Sequence, residues 1–354
     1  MGKLQSYSFK LRDLILPAGS NRRLLAKRLY KNMFSKNNSV EEGYPLNNSV
    51  EEDRPSESIW DNSREQYCKN DFKLYWELLP AVVKYQLKSM TGSEYVHYFE
   101  YLINYVEQNI GKQNLRGLFI GCLDWDPAPE WTLVERGLFN KIEVFDIAEG
   151  LLKKQAKLTA ERGIKNIEYR NFDCNYLQLE EGAYDMIFAI GTIHHIEKLD
   201  ILFSQINRGL KNNGIFAMRE YVGPNRFQFT EEQVFIINEI LAILPEKYKQ
   251  AYSGTIKNVF AISDVKEIIK LDPSESVCSQ DIVPVMKEHL DVIQLDYTGG
   301  TILHPLLNDI ASNFERDEDG EAILKLLILF EKTLIEKGVL PSDYVFSMAK
   351  KRLH

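Results

Sequence analysis

The alternation of apolar and polar positions divides this chain into a sheet-forming half flanked by helical stretches. Between residues 115 and 218, four short apolar runs each lead into a turn of small or polar residues and then into helical periodicity. They are Leu118-Phe119-Ile120-Gly121-Cys122, Ile142-Glu143-Val144-Phe145-Asp146, and the segments 167–173 and 184–191. Strands that alternate with helices predict a parallel sheet, whose ligand lies at the carboxyl ends of the strands. Ile215-Phe216-Ala217-Met218, after a turn at 210–214, reads as a fifth strand and 290–297 as a sixth. The segment 344–349 reads as a last strand, inserted antiparallel to the others. The expected class is α/β, with seven mostly parallel strands and helices on both faces.

Helical spacing fills the rest. Residues 71–109 carry Phe72, Tyr75, Trp76 and Leu79, then Tyr98, Phe99 and Leu102, at intervals of three and four, with a break at Thr91-Gly92-Ser93. That pattern predicts two amphipathic helices. Pro127-Ala128-Pro129 delays the helix after the first strand until about Glu130. A helix over 231–244 with Thr230 as its cap opens a mainly helical insertion, and insertions at this edge of a sheet are natural lids.

The first 36 residues are basic, with Arg22-Arg23, Lys27-Arg28 and Lys31 set among Leu24, Leu25, Leu29 and Met33. This suits a short amphipathic helix capped at Ser20 or Asn21, which either docks on the protein itself or makes peripheral contact with an anionic membrane. Asn-Asn-Ser-Val-Glu-Glu then occurs twice, at 37–42 and 47–52, as a duplicated flexible linker. The chain therefore reads as an arm and linker over 1–70 and one domain over 71–354. Within the domain, 71–110 is a helical cap, 111–222 a cofactor core, 223–289 the lid insertion and 290–354 the closing strands and helix.

Composition narrows the partners. A formal net charge of -8 over 354 residues argues against a nucleic-acid-binding surface, which should be basic. The four cysteines form no C-x-x-C pair and no apolar run is long enough to cross a bilayer, so the expectation is a cytoplasmic protein with reduced thiols.

The strand endings carry the chemistry. Gly121 lets backbone approach a ligand, Asp146 can accept from both hydroxyls of a ribose, and Asp173 can accept from an adenine amino group. Neither G-x-G-x-x-G nor G-x-x-x-x-G-K-[ST] occurs, so the adenosine expected here lacks a phosphate cradle. The motifs 118–124, 144–148, 171–175 and 185–196, with the helix, turn and strand over 206–218, resemble the class I S-adenosylmethionine-dependent methyltransferases. The resemblance implies a Rossmann-like fold and S-adenosyl-L-methionine as cofactor. It implies Gly121, Cys122 and Leu123 against the methionine part, Asp146 and Ile147 on the ribose, Asp173 and Cys174 on the adenine, and Ile190 and Gly191 near the ammonium. The chain departs from the family where three alternating glycines are usual, having Gly121-Cys122-Leu123-Asp124-Trp125. A catalytically silent binding or scaffold module is the alternative this departure leaves open.

For the transfer itself, His194 and His195 follow the fourth strand, where a histidine can take a proton from an attacking hydroxyl. Glu220 at the end of the fifth strand is the other candidate base. Arg219, Tyr221 and Arg226, with His304 further on, are candidates for binding the acceptor; an internal ion pair is the other use open to Arg219 and Glu220. Two adjacent histidines without a third ligand at helical spacing predict no metal site. The patterns at 220–226, 272–276 and 297–304 look like bacterial methyltransferases that accompany glycosyltransferases in making surface polysaccharides. They imply a small-molecule or glycan acceptor, methylated on a sugar hydroxyl.

Overall fold

The computed structural model describes residues 75–125 and 127–353. The basic arm, the duplicated hexapeptide and Phe72 lie outside the described residues. Seven strands form one sheet: β1 (Leu115–Ile120), β2 (Phe139–Asp146), β3 (Ile167–Asn171), β4 (Tyr184–Ile190), β5 (Leu210–Tyr221), β6 (Leu290–Gly299) and β7 (Tyr344–Lys351), in the order β3-β2-β1-β4-β5-β7-β6. β1 to β5 pair in parallel, and β7 runs antiparallel between β5 and β6. The expected Rossmann-like class is what the chain adopts.

Two features of this order position a site. The chain leaves β1 towards β2 and β3 and returns to β4 on the other side, so a crevice opens between the carboxyl ends of β1 and β4. Ile120 is level with Phe145 of β2 and Ala189 of β4, and Ile190 is level with Arg219 of β5, so the strands end together at that crevice.

Alternation along the strands separates two cores. Phe119 and Phe188 face one core, together with Leu102 and Ile103; Leu118, Ile120 and Ile187 face the other, with Leu202, Phe203 and Ile206. β4 is buried at every position, as a central strand covered on both faces must be. β5 begins five residues before its apolar run. Lys211 to Gly214 are absorbed in a shift of register against β4, where a Cβ on Gly214 would come within 2.9 Å of the Tyr184 carbonyl.

The helices are α1 (Pro80–Thr91), α2 (Tyr98–Asn109), α3 (Pro129–Glu135), α4 (Glu149–Glu161), α5 (Leu199–Gly209), α6 (Glu231–Ile243), α7 (Val265–Leu271), α8 (Ile282–His289), α9 (Leu303–Leu307) and α10 (Glu318–Glu336). Proline starts α1, so Tyr75, Trp76 and Leu79 precede the helix expected to carry them, with Trp76–Leu78 in a short 3-10 turn, and Gly92 in the left-handed region ends α1. Thr230 caps α6 in a capping box with Gln233, whose amide also donates to Thr301 and Asp343. α6, α7 and α8 lie between β5 and β6, as the insertion requires. A buried carboxylate, Glu331 of α10, accepts from the backbone of Gly300, Ile302 and Leu303 and so fixes the turn after β6. Among the described residues, no helix is long and apolar enough to cross a membrane.

Candidate functional site

On the cofactor side the first glycine is demanded by the fold. Gly121 has φ +94°, and a Cβ there would lie 2.0 Å from Thr192 Oγ1. The residues after it are held by α4. The Leu123 carbonyl accepts from Gln155 of α4 at 3.0 Å, and Asp124 pairs with Lys154 of α4 at 2.7 Å. The Leu123 side chain packs against the first core, and Trp125 is 41% exposed. The loop is thus anchored by α4 where glycines would otherwise let it curl.

Asp146 ties this loop to its own strand. Its Oδ2 accepts from the Cys122 amide at 2.7 Å and its Oδ1 from the Ala148 amide at 2.8 Å. A carboxylate has about four acceptor positions, and Asp146 is only partly buried, so two of roughly four are taken by backbone. The Ile147 carbonyl is held by the Asn171 side chain at 2.8 Å. Asp173 caps the short helical turn Cys174–Tyr176, taking both Asn175 bonds on Oδ1. Cys174 is buried, and burial, with Asp146 and Asp173 nearby, pushes its thiol up, so it stays protonated. Ile190 is buried, while Gly191 is exposed with φ +54° and open space where a Cβ would be. Two acids, a neutral thiol and an unobstructed glycine thus stand at or just past the carboxyl ends of β2, β3 and β4.

The acceptor side is built around Glu220, which is 1% exposed. Its Oε2 accepts from the amides of Thr192 at 2.9 Å and Ile193 at 2.7 Å; its Oε1 accepts from the Tyr221 amide at 2.8 Å and from His194 Nδ1 at 2.5 Å. With these four bonds Glu220 positions the turn after β4 and orients His194; it has little capacity left to take a proton from an acceptor. Burial alone would lower the pKa of His194, but Glu220, then Glu275 and Asp272, outweigh it and raise it to about 9. His195 goes the other way. Burial and the neighbouring His194 hold it well below the usual imidazole range, so it is neutral.

The helical insertion between β5 and β6 supplies residues that were not among the predicted site residues, although the pattern at 272–276 stood out. Glu275 Oε1 is 3.5 Å from His194 Nε2, Ser274 Oγ is 3.2 Å from His195 Nδ1, and Asp272 Oδ2 is 3.7 Å from the same nitrogen. The Val277 amide donates to the His194 carbonyl at 3.0 Å. Burial raises the Glu275 carboxyl. No third ligand follows the two histidines at helical spacing, but donor atoms of His194, His195 and Glu275 lie within 4.8 Å of one another. The fold brings in across the lid what helical spacing does not provide. The only local signal is the Asp272-Pro273-Ser274 turn, closed by Ser274 N donating to Asp272 Oδ1 at 2.8 Å.

The other predicted residues fall in three places. Arg226 lies at the lid but is directed to backbone, its amide donating to the Ser276 carbonyl at 2.8 Å and its guanidinium to the Glu275 carbonyl at 2.9 Å. Arg226, Phe227 and Ser276 all have left-handed φ (55°, 51° and 50°), so the seam between lid and sheet holds backbone strain. Arg219 is an internal ion-pair partner, partly buried against Glu77 and donating to Gln86 Oε1 at 3.0 Å. Of the two uses the sequence left open for it, this is the one the geometry displays. Tyr221 is buried with its hydroxyl on the Pro224 carbonyl at 3.1 Å. His304 stands in an aromatic cluster with Trp76, Tyr221, Phe227 and Tyr344, and burial lowers its pKa to about 4.

Residues 119–218 match the profile of the methyltransferase domain family, so this part of the chain is a methyltransferase domain, and its cofactor is S-adenosylmethionine. No curated protein matches the chain. Among solved structures, the chain is similar to phosphoethanolamine N-methyltransferase 2 of Haemonchus contortus in complex with S-adenosyl-L-methionine (15% identity, 78% of this chain and 58% of that one, TM-score 0.44). It is also similar to geranyl diphosphate C-methyltransferase of Streptomyces coelicolor A3(2) (14% identity, 71% and 79%, TM-score 0.42) and to the cyclase SpnF (13%, 77% and 94%, TM-score 0.42). These likenesses concern the fold, which stands on the strand order given above.

Proposed function

We propose that this methyltransferase moves a methyl group onto a hydroxyl of a small, hydroxyl-rich acceptor, a sugar or sugar-like compound, bound beneath the lid at the carboxyl edge of the sheet. One observation supports the reading: Gly121, Asp146, Asp173 and Gly191 stand at or just past the carboxyl ends of β1 to β4, and the turn after β4 carries His194 and His195 against Asp272, Ser274 and Glu275. When bound, S-adenosylmethionine supplies an electrophilic methyl on a sulfonium. In this chain Asp146 and Ile147 would hold its ribose, Asp173 and Cys174 its adenine, and the backbone at Gly121 and Gly191 its methionine part.

What remains for the protein is alignment and one proton. In-line attack by a hydroxyl gains most from being held at the right distance and angle, and the proton it loses needs a nearby acceptor. The cluster under the lid offers both. Carboxylates and a serine hydroxyl accept hydrogen bonds from several acceptor hydroxyls, whereas an apolar acceptor would leave buried polar groups unpaired. The lid is bonded to the site through Val277 and Ser274, which supports a small acceptor over a polymer chain.

Calorimetric titration with S-adenosylmethionine and S-adenosylhomocysteine, followed by mass spectrometry of reactions with monosaccharides, sugar nucleotides, amines and apolar acceptors, tests the proposal. Tight cofactor binding with one added methyl on hydroxyl-rich compounds is expected. Transfer to amines or apolar compounds alone would refute the acceptor class, and absent cofactor binding would point to the silent module instead.

A further inference from the structure

We propose that Nε2 of His194, one ring nitrogen of His195 and the carboxylate of Glu275 form a binding site for a divalent transition-metal ion of the zinc class. Their donor atoms already lie within 4.8 Å of one another. Zinc bonds to nitrogen and oxygen are about 2.0–2.2 Å, which sets tetrahedral ligand atoms about 3.3 Å apart. The 3.5 Å between His194 Nε2 and Glu275 Oε1 is close to that spacing.

The surroundings are those a metal-binding histidine needs. Ligating imidazoles donate their other N–H to a carboxylate or carbonyl, which fixes ring and tautomer. His194 does this through Nδ1 to Glu220 at 2.5 Å, and Glu220 is itself fixed by the amides of Thr192, Ile193 and Tyr221. His195 Nδ1 faces Ser274 Oγ at 3.2 Å, and that hydroxyl donates to Asp272 Oδ1 at 2.7 Å, so a hydrogen bond between the two has Nδ1 as its donor. Asp272 Oδ2, 3.7 Å from His195 Nδ1, stands as an outer partner of that histidine. Two imidazoles and a carboxylate, without thiolate, suit zinc, cobalt or iron(II) rather than calcium or magnesium. The side chains of His194, His195 and Glu275 are 13%, 17% and 26% exposed, so an ion has access from solvent. Binding replaces the Nε2 proton of His194, which passes to buffer.

The binding itself is independent of the methyl-transfer reading; assigning the ion to the acceptor rests on it. An ion at this turn would lie on the acceptor side of the crevice, where a coordinated hydroxyl becomes more acidic. The test uses the full tag-free chain, stripped with a chelator and titrated with Co(II). One equivalent per chain, with the intense visible absorption of a four-coordinate site and displacement by Zn(II), is expected. Glu275→Gln should weaken Co(II) binding by at least about 100-fold, and His195→Asn should abolish the absorption, while both variants still bind S-adenosylhomocysteine. If Co(II) gives only the pale spectrum of the hexaaqua ion, or if Glu275→Gln binds it unchanged, the three side chains are a latch for the lid and the metal site is refuted. The control titration with S-adenosylhomocysteine keeps that outcome separate from failure of the cofactor reading.

Discussion

Replacing Asp146 tests the cofactor side at the residue where local structure and ligand binding meet. In the folded chain its two oxygens accept from the amides of Cys122 and Ala148 at 2.7 and 2.8 Å, before any ligand arrives. Hydrogen bonds to a charged group contribute about 1.5–3 kcal/mol. Removing the carboxylate also strands the amide of Cys122, a residue only 2% exposed, at a desolvation cost of about 1–3 kcal/mol. Asp146→Ala should therefore lower unfolding stability by about 2–4 kcal/mol. A lost pair of ribose bonds should weaken cofactor binding by a further 1.5–3 kcal/mol or so, about 10- to 150-fold. Asp146→Asn is no milder for the loop, because an amide presents one oxygen and an NH2, and the NH2 would face a backbone N–H. Urea unfolding and calorimetry with S-adenosylhomocysteine measure the two effects separately. A cofactor affinity within about twofold of the parent in Asp146→Ala, roughly 0.4 kcal/mol, would remove Asp146 from the ribose and refute the reasoning.

Three further outcomes follow from buried contacts. Gly121→Ala combines left-handed φ with a Cβ 2.0 Å from Thr192 Oγ1, so it should cost about 1–3 kcal/mol or more and loosen cofactor binding; parent-like chemical denaturation would count against the close approach. Glu331→Gln leaves an NH2 among three backbone donors at a fully buried position and should cost about 2–4 kcal/mol, read from the urea midpoint. Asp343 has its carboxyl raised from 3.8 to about 8, chiefly by burial and then by Glu331. A raised carboxyl keeps its proton in the fold and loses it on unfolding, so the stability it contributes is fully present below pH 3.8, declines above it, and is lost as pH passes about 8. Asp343→Asn should flatten that slope and be the more stable form at the alkaline end; parallel melting curves across the window would refute the assignment.

The candidate residues at strand ends were legible in the sequence. Gly121, Asp146, Asp173 and Gly191 stand where apolar runs end and the chain turns, and the topology brings those ends to one edge. The Leu123 and Trp125 departure was visible as well. Its accommodation was not, since it depends on Lys154 and Gln155 of α4 reaching back to the loop. Glu220 stood out as a buried acid at a strand end, yet nothing in the sequence indicates that three amides and His194 take up its oxygens.

Sequence alone determined the seven strands, a helical segment before them, the helical insertion between β5 and β6, and the acids at the ends of β2 and β3, because periodicity and turn chemistry act over a few neighbouring residues. Only the tertiary structure decided that Glu275 meets His194, that Arg219 is paired with Glu77, and that His304 lies among aromatic rings. Those partners are far apart in the chain. They meet because the helices and lid must bury their apolar faces on the sheet, and no local pattern records which polar groups that packing brings together.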